Sequence, residues 1–462
     1  MDQRSASRRT SPHRGHRGAA QLRGAAGLLS VVAALVAVVT MAAGCVHETG
    51  TSTTAPAHGS TTASGSATIT TAAPTAQPVG AGTSTSTTTA GPPVVKIGAL
   101  FPLTGDLAAE GQSALKGMRL AVEEVNADGG ITALNGARLT LVEADSKGDA
   151  TTTDALVAHL AQSDGVAAIV GAGQSTVALQ ATDAAERLQI PFMVSSGAAL
   201  EITQRNLGYT FRLCPEADWY ARDQVAFLQA LNGLAARDIT SVALLHENGE
   251  FGKQTAASQK AYLARAGIQV AADIEYSPGK ADLSNEVLAI RQSGAQAILT
   301  ATLLSDATVI AEDASVLHMN LPIIDAAGGV LDPGFIEEAG ASSEEMMSVA
   351  EVAPGMAPSR DLEQKLSVSG TQLDSDLLYA YQAVWVLASA LERAGSAEGP
   401  ALRGALKTTA LYGDHLVLPQ SLLTFDGTGQ NREAQLLVLQ VQDGKMVTVW
   451  PTEYAPGTVR LP

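Results

Sequence analysis

From Val94 onward the sequence keeps changing its period. Short apolar runs alternate with longer stretches whose apolar residues recur every three or four positions, the marks of buried strands and amphipathic helices. Val94 to Phe101 is the first run, with Lys96 its one charge, ended by Pro102 and Gly105. Leu115, Met118, Val122 and Val125 then share one helical face, with Arg119, Glu123 and Glu124 on others. Asn126 to Gly130 closes that helix with residues that tolerate left-handed backbone. Strand, loop, helix repeated in this way predicts a parallel, doubly wound α/β sheet with right-handed crossovers. Ligands of such sheets sit beyond the carboxyl ends of the strands, here the loop from Pro102 to Gly111.

The pattern continues with strands over Arg138–Ala144, Val166–Val170 and Ile190–Val194, and helices over Thr151–Gln162 and Thr176–Leu188. In the first of these helices Leu156, His159 and Leu160 lie on one side. After a short strand, Tyr209–Leu213, the alternation starts again: helix Asp218–Leu231, strand Ser241–His246, helix Gly252–Ala266, strand Ile268–Tyr276. Helix Leu283–Gln292, strand Ala297–Thr300, helix Asp306–Leu317 and strand Pro322–Ala326 follow. This predicts a second lobe of similar construction. A long helix, Leu377–Ala394, presents Leu378, Tyr381, Trp385 and Ala388 on one face. Leu436–Val441 and Met446–Trp450 flank Asp443-Gly444, a hairpin turn signal.

At 462 residues the chain is long enough for two domains and tails. Residues 1–23 carry six arginines and run into the apolar stretch Ala25–Ala43, then Ala42-Ala43-Gly44-Cys45. Small residues before a cysteine resemble a bacterial lipobox, which would leave Cys45 as a lipid-modified first residue; a signal anchor is the alternative. Residues 46–93, of Thr, Ser, Ala, Gly and Pro, cannot bury enough apolar surface to offset chain entropy and are expected to be a disordered tether. Removing everything before Cys45 leaves 23 basic and 45 acidic residues, a surface that disfavours nucleic acid. With Cys45 modified, Cys214 stands alone and is expected to be an inert thiol.

The run K-I-G-A-L-F-P-L-T-G, the spacing of Gly111 and Gly117, and A-V-E-E-V-N-A-D-G-G-I resemble the opening of type I periplasmic solute-binding proteins of the leucine/isoleucine/valine-binding branch. The resemblance continues to about residue 450. It implies three crossings between lobes, near Pro215, Val352 and Phe425-Asp426-Gly427. Lobe one would then be 94–215 plus 353–424, lobe two 216–352 plus 425–462, joined by a three-strand hinge that closes on a ligand. It also implies a lipid-anchored protein that binds a branched-chain amino acid, or a related organic acid or amide, and hands it to an ABC permease. A ligand sensor of the same fold is the rival reading.

Ser175 opens a helix, where a hydroxyl and free backbone N–H groups suit a carboxylate; an ordinary N-cap serine is the plainer alternative. The resemblance matches Ser175 to the family's carboxylate-binding serine. It assigns backbone contacts to Ser196 and Ala198, the alanine lacking the family's threonine hydroxyl. Glu110 stands at a position that is aromatic in the leucine binder, and is either a ligand contact or a solvated first-turn glutamate. Two tyrosine positions fall on Phe251 and Leu303, and the carboxylate that neutralises the α-ammonium falls near Gly328. A buried ammonium without a partner would cost several kcal/mol. Either Glu216, Asp218 or Asp325 replaces the missing acid, or the ligand is not an α-amino acid. Trp219 and Tyr220 are adjacent, so only one can easily face the cleft.

No catalytic motif accompanies these residues. His159, His246, His318 and His415 lack metal-site spacing, and Gly171-Ala172-Gly173 lacks the third glycine of a dinucleotide fingerprint. No cofactor and no metal is expected.

Overall fold

The computed structural model describes residues 92–462 apart from 106, 235–237, 303 and 333. Cys45, the targeting segment, nearly all of the 46–93 spacer and Leu303 therefore lie outside the described residues. The first lobe is built on a five-stranded, wholly parallel sheet of order β2-β1-β3-β4-β5. Its strands are β1 (Val94–Phe101), β2 (Arg138–Asp145), β3 (Ala168–Gly171), β4 (Phe192–Val194) and β5 (Thr210–Arg212). Between them run α1 (Ala108–Ala127), α2 (Ala150–Ala158), α3 (Ser175–Leu188) and the short α4 (Glu201–Gln204).

The second lobe has a seven-stranded sheet of order β12-β11-β10-β9-β8-β6-β7. Its strands and helices follow α5 (Trp219–Leu234), β6 (Ser241–Glu247), α6 (Glu250–Ala266), β7 (Gln269–Tyr276), α7 (Ser284–Ser293) and β8 (Ala297–Ala301). The lobe continues through α8 (Leu304–Val316), β9 (Ile323–Asp325), α9 (Phe335–Ala339) and β10 (Met347–Ala350). The chain then returns to the first lobe with α10 (Arg360–Val368), α11 (Ser375–Ala394) and α12 (Gly399–Lys407). Finally β11 (Leu437–Gln442) and β12 (Lys445–Trp450) form the hairpin around Asp443-Gly444, antiparallel to each other and, through β11, to β10.

Both faces of each sheet are covered, as continuous apolar strands require. On one face of the first sheet, Leu115, Met118, Val122 and Val125 of α1 pack with Leu378, Tyr381 and Trp385 of α11. On the other, Val177, Ala178 and Ala181 of α3 pack with Leu160 and Phe192. Gly117 permits the close approach of α1 and α11, since a Cβ there would lie 2.3 Å from the Leu377 carbonyl oxygen.

One expectation needs correcting. The helix read over Thr151–Gln162 ends as α2 at Ala158 and continues as a wide π turn over His159–Asp164. Thr153, Val157 and Leu160 are buried, whereas His159 is exposed and lies 3.7 Å from Asp164. The strand β10, four buried residues held between β9 and β11, has no mark of its own in the sequence.

The crossings between lobes are tied to one another. Arg212 at the end of β5 pairs with Gln430 in a parallel bridge, through Arg212 N to Gly429 O (2.8 Å) and Asn431 N to Arg212 O (2.9 Å). Asn431 Nδ2 donates to Leu213 O at 3.0 Å, and Gln430 Nε2 to Cys214 O at 2.9 Å. At the remaining crossing the Tyr220 hydroxyl from α5 donates to Glu351.

Candidate functional site

The carboxyl ends of both sheets face a cavity of about 730 Å³ between the lobes. Ala198, Ala199, Leu200 and Glu201 come from the first lobe; Asp218, Tyr220, Phe251 and Ala327 come from the second. Phe251, at the start of α6, is 43% exposed and turns its ring to this space. It also borders a more open recess of about 400 Å³ with Thr302, Gly328 and Asp332. Of the residues read from sequence, Ala198, Phe251 and Gly328 therefore meet around the cleft, while Ser175, Ser196 and Glu110 do not line either cavity.

Ser175 opens α3 directly behind the 195–199 loop. Its Oγ accepts the Ala199 N–H at 3.1 Å and keeps its own proton to donate. The loop is set from below by Arg212, whose guanidinium donates to Ala199 O (2.6 Å) and Gly197 O (3.3 Å). That side chain is fully buried, and also reaches Gln430 Oε1 (2.5 Å), Thr203 Oγ1 (2.9 Å) and Glu216 Oε1 (2.8 Å). Gly197, at φ +126°, supplies the bend that lets the loop curl over this group. Cys214 is 1% exposed beneath it, and burial pushes its thiol up to about 12, which keeps it protonated and inert.

The three acids weighed as ammonium partners now separate. Glu216 is occupied by Arg212 and by Thr203 Oγ1 at 3.2 Å. Asp325 is wholly buried under the cleft floor and satisfied there, accepting from Thr300 (2.8 Å), Thr302 (3.0 Å) and Gly328 N (2.9 Å). Gly328 is what brings this turn so close: a Cβ would lie 2.2 Å from Thr302 O and 2.8 Å from Asp325 Oδ2. Asp218 alone lines the cavity. Its Oδ2 accepts from Tyr262 at 2.8 Å, and its Oδ1 is buried with no hydrogen-bond partner.

Sequence reading missed a second acidic group at the root of the cleft. Asp376, in the first turn of α11, accepts from Ser196 Oγ at 3.0 Å. Burial drives its pKa up to about 7, against the Ser196 bond and reinforced by Asp374, Glu110 and Glu351. Glu351 is raised as well, by burial, against hydrogen bonds from Tyr220 and Ser375. Trp219 turns away from this group and stacks under Arg222 at 4.1 Å, so Tyr220 is the member of that pair that borders the cleft. The charged residues lining the cavity are Asp218 and Glu201, with no lysine or arginine among the described lining.

His246, the histidine nearest a strand end, is buried, with Nδ1 3.1 Å from Glu247 O and Nε2 3.3 Å from Asp273. Among the described residues no group of three His, Cys, Asp or Glu side chains is placed to hold a metal ion.

The description of the periplasmic binding protein family matches residues 94–445. "Leu/Ile/Val-binding protein homolog 7" of Brucella suis is 27% identical over 382 residues, covering 80% of this chain and 94% of that protein. "Leu/Ile/Val-binding protein homolog 8" of Brucella abortus is 28% identical over 400 residues, covering 79% and 93%. Among solved structures, an ABC transporter substrate-binding protein from Desulfitobacterium hafniense in complex with Leu superposes with a TM-score of 0.60 at 21% identity, over 77% of this chain and 99% of that one. A branched-chain amino acid transporter substrate-binding protein from Streptococcus pneumoniae, in complex with isoleucine, gives 0.57 at 20% identity, over 76% and 97%.

Proposed function

Because this chain belongs to the periplasmic binding protein family, we propose that it is an extracytoplasmic substrate-binding protein of an ABC-type uptake system. It closes two lobes on a small α-amino acid with an apolar side chain and delivers it to a membrane permease. The names of its relatives support the branched-chain class. The observation that carries the reading to an amino acid is Asp218. A carboxylate oxygen buried at the cleft wall without a partner, in a lining free of cations, favours a ligand that brings an ammonium. Ser175 Oγ and the first N–H groups of α3, which lie behind the 195–199 loop and line neither cavity as the lobes stand, would take the carboxylate once the lobes close on the ligand. Phe251, Leu200 and Tyr220 would cover the side chain. Asp218 thus stands in for the acid that the family places at Gly328, and an acid or amide lacking the ammonium is disfavoured.

Calorimetry with leucine, isoleucine and valine against their deaminated acids decides this. The amino acids should bind at least about tenfold tighter, and Asp218→Asn and Ser175→Ala should each lose about ten- to hundredfold, the weight of one charge-assisted hydrogen bond. Acid analogues that bind as tightly as the amino acids, with Asp218→Asn silent, would refute the assignment.

We further propose that Cys45 carries the lipid that holds the protein at the outer face of the cytoplasmic membrane, with residues 46–93 as spacer. The basic, apolar and small-residue order of the first 45 residues supports this. Cys45→Ser should release the protein or leave an uncleaved precursor; unchanged size and attachment would point to a signal anchor.

A further inference from the structure

Asp376 stands in the first turn of α11 and is tied to the loop whose Ala198 and Ala199 line the cleft. The tie is the hydrogen bond that it accepts from Ser196 Oγ at 3.0 Å. A hydroxyl has one proton to give, and an ionised carboxyl can only accept. While Asp376 is charged, the Ser196 proton is therefore directed at it. A protonated Asp376 becomes a donor to Ser196 Oγ, and the serine proton is then free to turn to another acceptor. The charge on one carboxyl thus decides what this loop presents to a ligand.

The surroundings favour the neutral form. Like charges approach from three elements: Asp374, which caps the same helix, Glu110 of α1, and Glu351, which follows β10. Asp374 accepts from Ser113 Oγ (2.5 Å) and Leu377 N (2.8 Å), and Glu351 from the Tyr220 and Ser375 hydroxyls. Burial keeps the Tyr220 and Tyr379 phenols and the Cys214 thiol protonated beside them. Arg212, the cation at the first crossing, is turned to Glu216, Gln430 and the carbonyls of Gly197 and Ala199. Among the described residues no lysine or arginine pairs with Asp376, and burial with these neighbours holds its pKa up to about 7. A ligand carboxylate arriving beside this loop adds one more negative charge, and meets least repulsion when Asp376 is neutral.

Resting on the reading that the cleft takes an amino acid with its carboxylate at Ser175 beside the 195–199 loop, we propose that Asp376 is a positioning residue for ligand capture. It sets the direction of the Ser196 hydroxyl, and closing on the ligand draws one proton from the solvent onto its carboxyl. Leucine, isoleucine and valine should be titrated into the full chain by calorimetry between pH 5.5 and 8.5, and in phosphate and Tris buffers at pH 7.5. Affinity for the amino acid that binds should fall at least about fivefold from pH 6 to 8.5, and the two buffers should report uptake of about half a proton or more. Asp376→Asn, always neutral and with an amide to donate to Ser196, should hold the low-pH affinity up to pH 8.5 and take up no proton. A merely structural role would not raise affinity at high pH. Glu110→Gln, at an exposed position, removes one like charge and should move the midpoint of the pH dependence down; it decides the matter if Asp376→Asn does not fold. The proposal is overturned if the amino acid binds equally at every pH without proton uptake, or if the midpoint stays in place in Glu110→Gln. It is overturned too if the uptake persists in Asp376→Asn, which would put the proton on Glu351 or Glu216. If none of the three amino acids binds at any pH, the amino-acid reading falls first and this proposal with it.

Discussion

Asp376 and Glu351 are carboxyl groups whose burial favours the neutral form, Asp376 with a pKa held up to about 7. An acid whose pKa is higher folded than unfolded holds more protons when folded, so its contribution to stability falls as pH rises from its ordinary value toward the raised one. For Asp376 that window runs from about pH 4 to 7. Asp145 and Asp273 are shifted the other way, Asp145 by hydrogen bonds from Thr104, Lys147 and Leu103 and Asp273 by Lys260 and His246, in both cases against burial. They act only below the ordinary aspartate range, so the two effects separate. Asp376→Asn should therefore stabilise the protein at pH 8 by about 2 kcal/mol, allowing for partial exposure, and flatten the loss between about pH 4 and 7. Thermal melts across that range check it; an unchanged slope would mean that the carboxyl titrates normally. Ala198, Phe251 and Gly328 could be placed beside the cleft from sequence because each follows a strand's end or opens a helix. Asp376 could not, since a helix taken to begin at Leu377 leaves it in a loop. The cap signal was there: Asp374 Oδ1 accepts from Leu377 N at 2.8 Å and sets the start at Ser375.

Among the elements, α1 and α11 make the contact on which the first lobe depends. A methyl on Gly117 would strike the Leu377 backbone, and a backbone cannot swing aside as a side chain can. Gly117→Ala should cost about 2–4 kcal/mol, seen as a fall in Tm. Gly404, inside α12 with nothing within 4 Å of its would-be Cβ, provides the opposite case. Gly404→Ala should gain about 0.5–1 kcal/mol in the same melts. The elements that periodicity could reveal were long or bounded by glycine and proline, as β1 and α1 are. Met347–Ala350 is neither: four buried residues between Met346 and Glu351, with no turn residue at either side. It is a strand because β9 and β11 lie on its two sides, a fact that exists only in the sheet. The π turn at His159 likewise adds a residue to one turn and rotates the face that a regular helix would present.

At the scale of the molecule, Arg212 joins parts that are far apart in sequence: the 197–203 loop, Glu216 at the first crossing and Gln430 at the third. Arg212→Met would strand Glu216 without its cation, and should cost about 3–5 kcal/mol by denaturant titration. Adding Glu216→Gln should recover a good part of that loss, since the penalty lies in the unpaired charge; no recovery would place the loss in the loop hydrogen bonds instead. The pairing of α1 with α11 has a further consequence, which concerns time. The strands of the first sheet are all present once residue 212 has been made, but the cover for α1 ends at Ala394. Between those points a growing chain carries Leu115, Met118, Val122 and Val125 with only the sheet beneath them and without their outer cover from α11. The first lobe, although it begins at the amino end, is thus completed only after nearly the whole second lobe has been synthesised. Contacts so distant along the chain form slowly, and the interval is one of exposure to aggregation that a folding helper would have to cover.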